Sequence, residues 1–424
     1  GWGDPGEKMT VITSWNNMTD SLTVTSDGLW KMKTATPAAG GPYTITIKGW
    51  NTIVLENVMI GEVWVCSGQS NMEWSGPNND QRSIEAWPKA PNQNIRFFHV
   101  PRTTSEYPQD NCEAKWEVCD SFNTRWFSIV GYLFGNKLQH DLNVPIGLIE
   151  SAWGGTPVET FTPAPVIASD PVMKEAAAKL PATPWGPYRP GIIYNGMIAP
   201  ITNYEIAGAI WYQGEANVGI PASYSKTLTS MIGAWRSAWH KDFPFYLVQI
   251  APYKYGSEYQ GALLMEQQAK TVATYPNTGM VVITDLVDNI NDIHPKNKFD
   301  VALRLSNLVL AQTYHQNLIG YKSPVYKNME IVKGKVNVYF DNAPNGFMLK
   351  GTAKQATDFL IAGDDKVFQP ADVKIEKDRI ILSSKLVPNP VAVRFAFSNV
   401  AMSNVFSKEG LPVAPFRTDG WITQ

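Results

Sequence analysis

The chain has 424 residues, 44% of them hydrophobic and 17% charged, which is enough apolar material for more than one core and unlike a disordered segment. Thirty-six Lys and Arg stand against 38 Asp and Glu, a formal net charge of −2 without a run of either sign. That balance argues against nucleic acid or an anionic membrane as the main partner, and no stretch approaches the ~18 consecutive apolar residues of a membrane helix.

From Lys8 to about Ile60 the residues alternate over short stretches. Thr10-Val11-Ile12-Thr13, Leu22-Thr23-Val24-Thr25 and Tyr43-Thr44-Ile45-Thr46-Ile47 predict half-buried strands, with turns at Gly28, Gly40, Gly41 and Pro42. Residues 1–60 are therefore expected to form a β-rich accessory segment.

The texture changes at Glu62-Val63-Trp64-Val65-Cys66, a continuous apolar run of the kind covered on both faces in a parallel sheet. Similar runs recur at 146–149, 208–212, 245–250 and 280–284. Helical spacing fills Trp126 to His140, Tyr224 to Trp239 and Lys298 to Tyr314. Alternating strand and helix predicts an α/β fold, a three-layer α/β/α sandwich over residues 61–320. Alternation returns at 336–340, 373–375 and 391–397, so residues 321–424 read as a second β-rich segment. Neither terminal segment is long enough for a comfortable core alone, and the two are expected to form one accessory region.

Three cysteines and five histidines show no metal-ligand spacing, and no cofactor is expected. Cys66 reads as a buried small hydrophobe, while Cys112 and Cys119 are close enough in sequence to pair. Gly68-Gln69-Ser70-Asn71-Met72 follows a buried strand, which places Ser70 at a strand-to-helix turn. Free backbone N–H groups at such a turn favour developing negative charge, as acyl transfer requires. An N-cap role for the same Ser weighs equally on position alone. Three further loops follow predicted parallel strands and should converge with it beyond their carboxyl ends. They are Ser151-Ala152-Trp153-Gly154-Gly155-Thr156, Gln213-Gly214-Glu215-Ala216-Asn217 and Asn291-Asp292-Ile293-His294-Pro295. His294 lies beyond a strand and beside a carboxylate, whereas His99 sits in an apolar run, and His140, His240 and His315 read as structural or surface residues.

Together, Glu62 to Trp74, Ser151 to Pro157, Trp211 to Asn217 and Asn291 to Lys298 resemble the sialate O-acetylesterase family of SGNH (GDSL-like) hydrolases. The likeness covers nearly the whole chain. It implies a carbohydrate esterase with Ser70 as nucleophile and His294 as base. It also implies an oxyanion hole built from the Ser70 N–H, Gly155 or its neighbour Gly154, and the Gln213 amide. Family members usually carry Asp three residues before the His. Asn291 stands there, so Asp292 is the first choice as third member, with Asp288 and Glu215 as alternatives. Trp74, Trp153 and Glu215 are candidate substrate-binding residues; Tyr224 and Arg236 are weaker ones.

The resemblance implies removal of O-acetyl groups from sugars, sialic acid esters first, with acetylated xylan or another plant polysaccharide as the alternative. Glycan degradation in the periplasm or outside the cell follows, with a signal peptide already removed. A non-catalytic carbohydrate-binding protein is the competing class, and Asn291 in place of Asp is the feature that favours it. A lipase or peptidase lacks its signature, since no Gly-x-Ser-x-Gly elbow surrounds Ser70.

Overall fold

The computed structural model describes residues 1–78, 81–87 and 91–421. The centre is a seven-stranded sheet in the order β11-β10-β9-β5-β8-β6-β7. Its strands are β5 (Glu62–Gly68), β6 (Asn92–His99), β7 (Trp116–Cys119), β8 (Ile146–Ala152), β9 (Gly208–Tyr212), β10 (Phe245–Val248) and β11 (Thr278–Val281). All are parallel except β7, which pairs antiparallel with β6 at the edge.

The apolar runs become strands because both faces are covered. Trp64 and Cys66 of β5 join one core with α2 (Ile129–Leu142) and α5 (Lys298–Gln312). Val65, one residue out of phase, joins the opposite core with α3 (Tyr224–Trp239) and α4 (Gln260–Thr274). Each large side chain buried this way is worth about 1.5–3 kcal/mol, and burial on both faces holds the register that a one-residue slip would invert. This is the expected three-layer sandwich. The structure adds β6, β7 and α4, and it starts the strand expected at 280–284 two residues earlier.

The terminal segments are β-rich as expected, and each builds its own sheets. The first holds β1 (Lys8–Thr13), β2 (Thr19–Thr23), β3 (Gly40–Lys48) and β4 (Thr52–Ile60), in the order β2-β1-β3-β4. It meets the β6–β7 side of the central sheet, where Arg96 of β6 donates to Asn57 at 3.1 Å. The C-terminal strands form three antiparallel sheets around a core that includes Val336, Val338, Ile380, Leu382 and Phe395. They meet the opposite side, where Arg417 clasps Glu266 of α4 at 2.7 and 2.9 Å. The two segments thus flank the hydrolase domain at opposite edges, without a shared ladder between them. The last three residues of the C-terminal segment lie outside the described residues. Cys66, Cys112 and Cys119 are all free thiols, so the pairing that the spacing of Cys112 and Cys119 left open is not formed. No helix among the described residues is long and apolar enough to cross a membrane.

Candidate active site

The end of β5 sets the geometry. Gly68 has φ +136, and a Cβ there would collide with the carbonyl of Tyr212 on β9. Only a glycine lets the two strand ends approach this closely while the chain turns. Gln69 fastens the turn: its side-chain oxygen accepts the N–H groups of Gly214 and Ala216 at 3.3 and 3.2 Å. Ser70 then opens α1 (Ser70–Glu73), with its side chain part-exposed in a cleft of about 540 Å³.

His294 reaches the same point from the loop after β11. Its Nε2 lies 2.8 Å from the Ser70 Oγ, and an imidazole carrying its proton at Nδ1 accepts the hydroxyl hydrogen at this distance. Burial lowers the His294 pKa first, the nearby Lys298 ammonium lowers it further, and Asp292 opposes both. A neutral, accepting imidazole at neutral pH is what a general base needs.

Asp292 is placed two residues before the base. Its Oδ1 accepts the His294 backbone N–H at 2.9 Å and stands 3.8 Å from Nδ1, an ion-pair distance rather than a hydrogen bond. Asn291, at the position where Asp is usual, is exposed and donates its amide to Asn289 at 3.1 Å. It forms no hydrogen bond to the imidazole among the described residues. Asp288 is exposed and has no ion pair with His294 among the described residues.

Two of the expected oxyanion donors remain. Among the described residues, neither the Ser70 nor the Gly155 backbone N–H has an acceptor. Gly155 takes φ +72 against the ring of Trp185. The Gly154 N–H is committed to Glu73 Oε2 at 3.0 Å. Gln213 is a correction: its side chain is fully buried, and both amide hydrogens are spent, on Thr156 O at 3.1 Å and Asn217 Oδ1 at 2.8 Å. It ties loops together and does not present a donor to the cleft.

Glu215 also differs from expectation. It is buried, takes the Asn71 side-chain N–H at 2.6 Å, and does not line the cleft. The Asn71 oxygen accepts from Lys298 Nζ, so one amide bridges a buried carboxyl and a buried ammonium behind Ser70 and His294. Burial pushes Glu215 up and Lys298 down to about 7, each partly restored by the other's charge. Sequence reasoning missed Lys298, although it lies four residues after His294 inside the matching motif.

Among the aromatic candidates, Trp74 lines the cleft and stacks on His294. Trp153 is half-buried beside Arg102, whose guanidinium lies 6.0 Å from its ring centre. Tyr224 is core: it is fully buried, and its hydroxyl is bonded to Gln213 at 2.8 Å. Arg236 spends its guanidinium on the carbonyls of Phe243, Pro276 and Asn277 and cannot serve a sugar carboxylate. Sequence reading also passed over His99, Arg102, Trp126 and Glu150, which line the cleft with Ser70 and His294. Strand ends on β6 and β8 place two of them, and β6 carried no periodic signal strong enough to locate its end.

The family described as carbohydrate esterase, sialic acid-specific acetylesterase, matches residues 60–314, the hydrolase domain just described. Sialate O-acetylesterase of Pongo abelii is 30% identical over 378 residues, covering 80% of this chain and 72% of that protein. The Homo sapiens sialate O-acetylesterase is 29% identical over the same length and coverage. A carbohydrate acetylesterase from Xanthomonas citri superposes with a TM-score of 0.89 at 33% identity, covering 99% of this chain and 95% of its own. The chain is accordingly a carboxylic ester hydrolase that removes O-acetyl groups from carbohydrates. The chain belongs to the carbohydrate esterase family of sialic acid-specific acetylesterases.

Proposed function

We propose that the chain removes O-acetyl groups from sugars, sialic acid esters first among them, by a serine mechanism without a cofactor. The observation that carries this reading is the 2.8 Å contact between Ser70 Oγ and His294 Nε2 at the mouth of an open cleft. Ser70 Oγ attacks the acetyl carbonyl while Nε2 takes its proton. The oxyanion forms against the N–H groups of Ser70 and Gly155. The intermediate then expels the sugar oxygen, which receives the proton from His294. Water attacks the acetyl-enzyme by the same route, with His294 again as base, and acetate leaves.

Asp292 acts in this scheme through charge and through its grip on the His294 backbone. Glycan degradation outside the cytoplasm is part of the same reading, and recovery of the chain from periplasmic or culture fractions tests it.

A second reading takes a neutral glycan such as acetylated xylan as substrate. Arg102 in the cleft is already paired with Glu73, and Trp126 is 55% exposed at the rim. A committed cation serves a sugar carboxylate poorly, while an exposed indole stacks on neutral rings.

Hydrolysis of p-nitrophenyl acetate by wild type and Ser70→Ala, followed by acetate release from O-acetylated sialic acid and acetylated xylan, tests the proposal. Activity that vanishes in the variant supports it, and the preferred sugar selects between the readings. Equal activity in both proteins removes Ser70 from the mechanism.

A further inference from the structure

The cleft continues past Ser70 onto the ends of β8 and β6, where the mechanism uses nothing. Glu150 on β8 stands in register with His99, the last residue of β6. The Glu150 side chain is 1% exposed, yet it lines the cleft. Its Oε2 accepts the Ser128 backbone N–H at 2.8 Å and lies 4.0 Å from His99 Nδ1. No hydrogen bond to its other oxygen is formed by the described residues, and the carboxyl lines the cleft. A carboxyl oxygen that faces a cleft without a protein partner is open to a donor brought by a ligand. The neighbouring wall is Glu73 paired with Arg102, and Glu73 also holds the Gly154 N–H, so this wall is tied to the nucleophile's own loops.

We propose that Glu150 and His99 form a subsite that hydrogen-bonds hydroxyl groups of the sugar bearing the acetyl ester. This rests on the esterase reading above and adds where the leaving sugar is held.

The chemistry of the two groups fits a hydroxyl better than an anion. Burial pushes Glu150 up to about 8, with Glu73 reinforcing the shift and the Ser128 N–H and Arg102 opposing it. Cys66 also faces it from β5. Glu150 therefore carries its proton at neutral pH and can both donate and accept. Burial and Arg102 lower the His99 pKa, against Glu117, so the imidazole is neutral and offers one donor and one acceptor. Sugar hydroxyls also donate and accept, and two such partners side by side match a vicinal pair.

The test compares kcat/KM on an acetylated xylo-oligosaccharide with kcat/KM on p-nitrophenyl acetate, which has no sugar. In His99→Ala the ratio of sugar to p-nitrophenyl ester should fall about threefold to tenfold, the worth of one hydrogen bond. His99 is at the surface, so the variant should fold, and a thermal melt checks it. In wild type the same ratio should fall as pH rises through about 8, because the ionised carboxyl loses its donor and adds a charge beside Glu73. In Glu150→Gln the ratio should stay flat with pH, since an amide keeps a donor and an acceptor without titrating. An unchanged ratio in His99→Ala, or a flat wild-type ratio between about pH 6.5 and 9.5, overturns the subsite. Ser70→Ala separates the two claims: if it still cleaves either substrate, the serine mechanism itself fails.

Discussion

Trp74 lies flat against the imidazole of His294, ring centroids 4.5 Å apart and planes inclined by 24°. Trp74 is the C-cap of the short helix that begins with Ser70, so that helix also supplies a wall for the His294 ring. A ring held on one face loses rotational freedom before substrate arrives, which is how a base is kept within reach of a hydroxyl.

Trp74→Ala should therefore lower kcat/KM on p-nitrophenyl acetate about tenfold, the scale of one aromatic stacking contact in a catalytic geometry. Steady-state kinetics at a pH well above the His294 midpoint measures this. A variant as active as wild type would mean that the loop alone holds the imidazole.

Lys298 should set the acid limb of the pH–rate profile. Its ammonium opposes protonation of His294, and so does burial. Removing the charge in Lys298→Met should move the acid limb of kcat/KM up, so the base is lost at a higher pH than in wild type. Stability should respond as well. Folded Lys298 releases its proton near 7, while the unfolded residue holds it to about 10.4. Folding thus expels a proton in this window, so wild-type stability should gain on the Met variant as pH rises from 7. Urea denaturation of both proteins at several pH values reads that difference.

Asp292→Asn should cost about tenfold to a hundredfold in kcat, well below the ~10⁴ expected when a carboxylate bonds Nδ1 directly. The 3.8 Å separation is the reason. Asn291→Ala should leave kcat within about twofold, because that side chain turns to Asn289. Measured side by side, the pair shows which residue of the Asn291-Asp292 sequence supports the base.

Gly155→Ala should abolish most activity. The residue has φ +72, and a Cβ would collide with Trp185. Displacing its N–H removes an oxyanion donor, a loss of about 10²–10³ in kcat. KM for p-nitrophenyl acetate should change little, since the donor acts on the oxyanion rather than the bound ester.

The sequence made the sandwich readable because its strands are continuous apolar runs, and Tyr224–Trp239 matches its helix at both ends. That Ser70 and His294 would come together was readable because each follows a strand in a motif of fixed order. Gln213 was misjudged for a physical reason: the residue type gives a donor, but only the packing shows that Thr156 and Asn217 consume it. Tyr224 and Arg236 failed in the same way, since only the packing shows the tyrosine ring buried with its hydroxyl on Gln213 and the guanidinium spent on carbonyls. His99 and Glu150 meet only through the β6–β8 register, a relation that spacing along one strand cannot express. The third member stayed open between Asp292, Asp288 and Glu215 because the distance from the imidazole depends on how the loop turns, and here the turn brings Asp292, two positions before the His, nearest to it.

Ser70 and His294 lie 224 positions apart in the chain, and two strands, β9 and β10, separate the strand ends that carry them. Their contact cannot form in any fragment that lacks either edge of this stack, nor before the intervening strands settle into register. Ester hydrolysis is thus a clock for the completed assembly: during refolding it should appear no earlier than the recovery of the fluorescence of Trp64 and Trp211. A nick that loosens β10 should silence it even when both reacting side chains are intact.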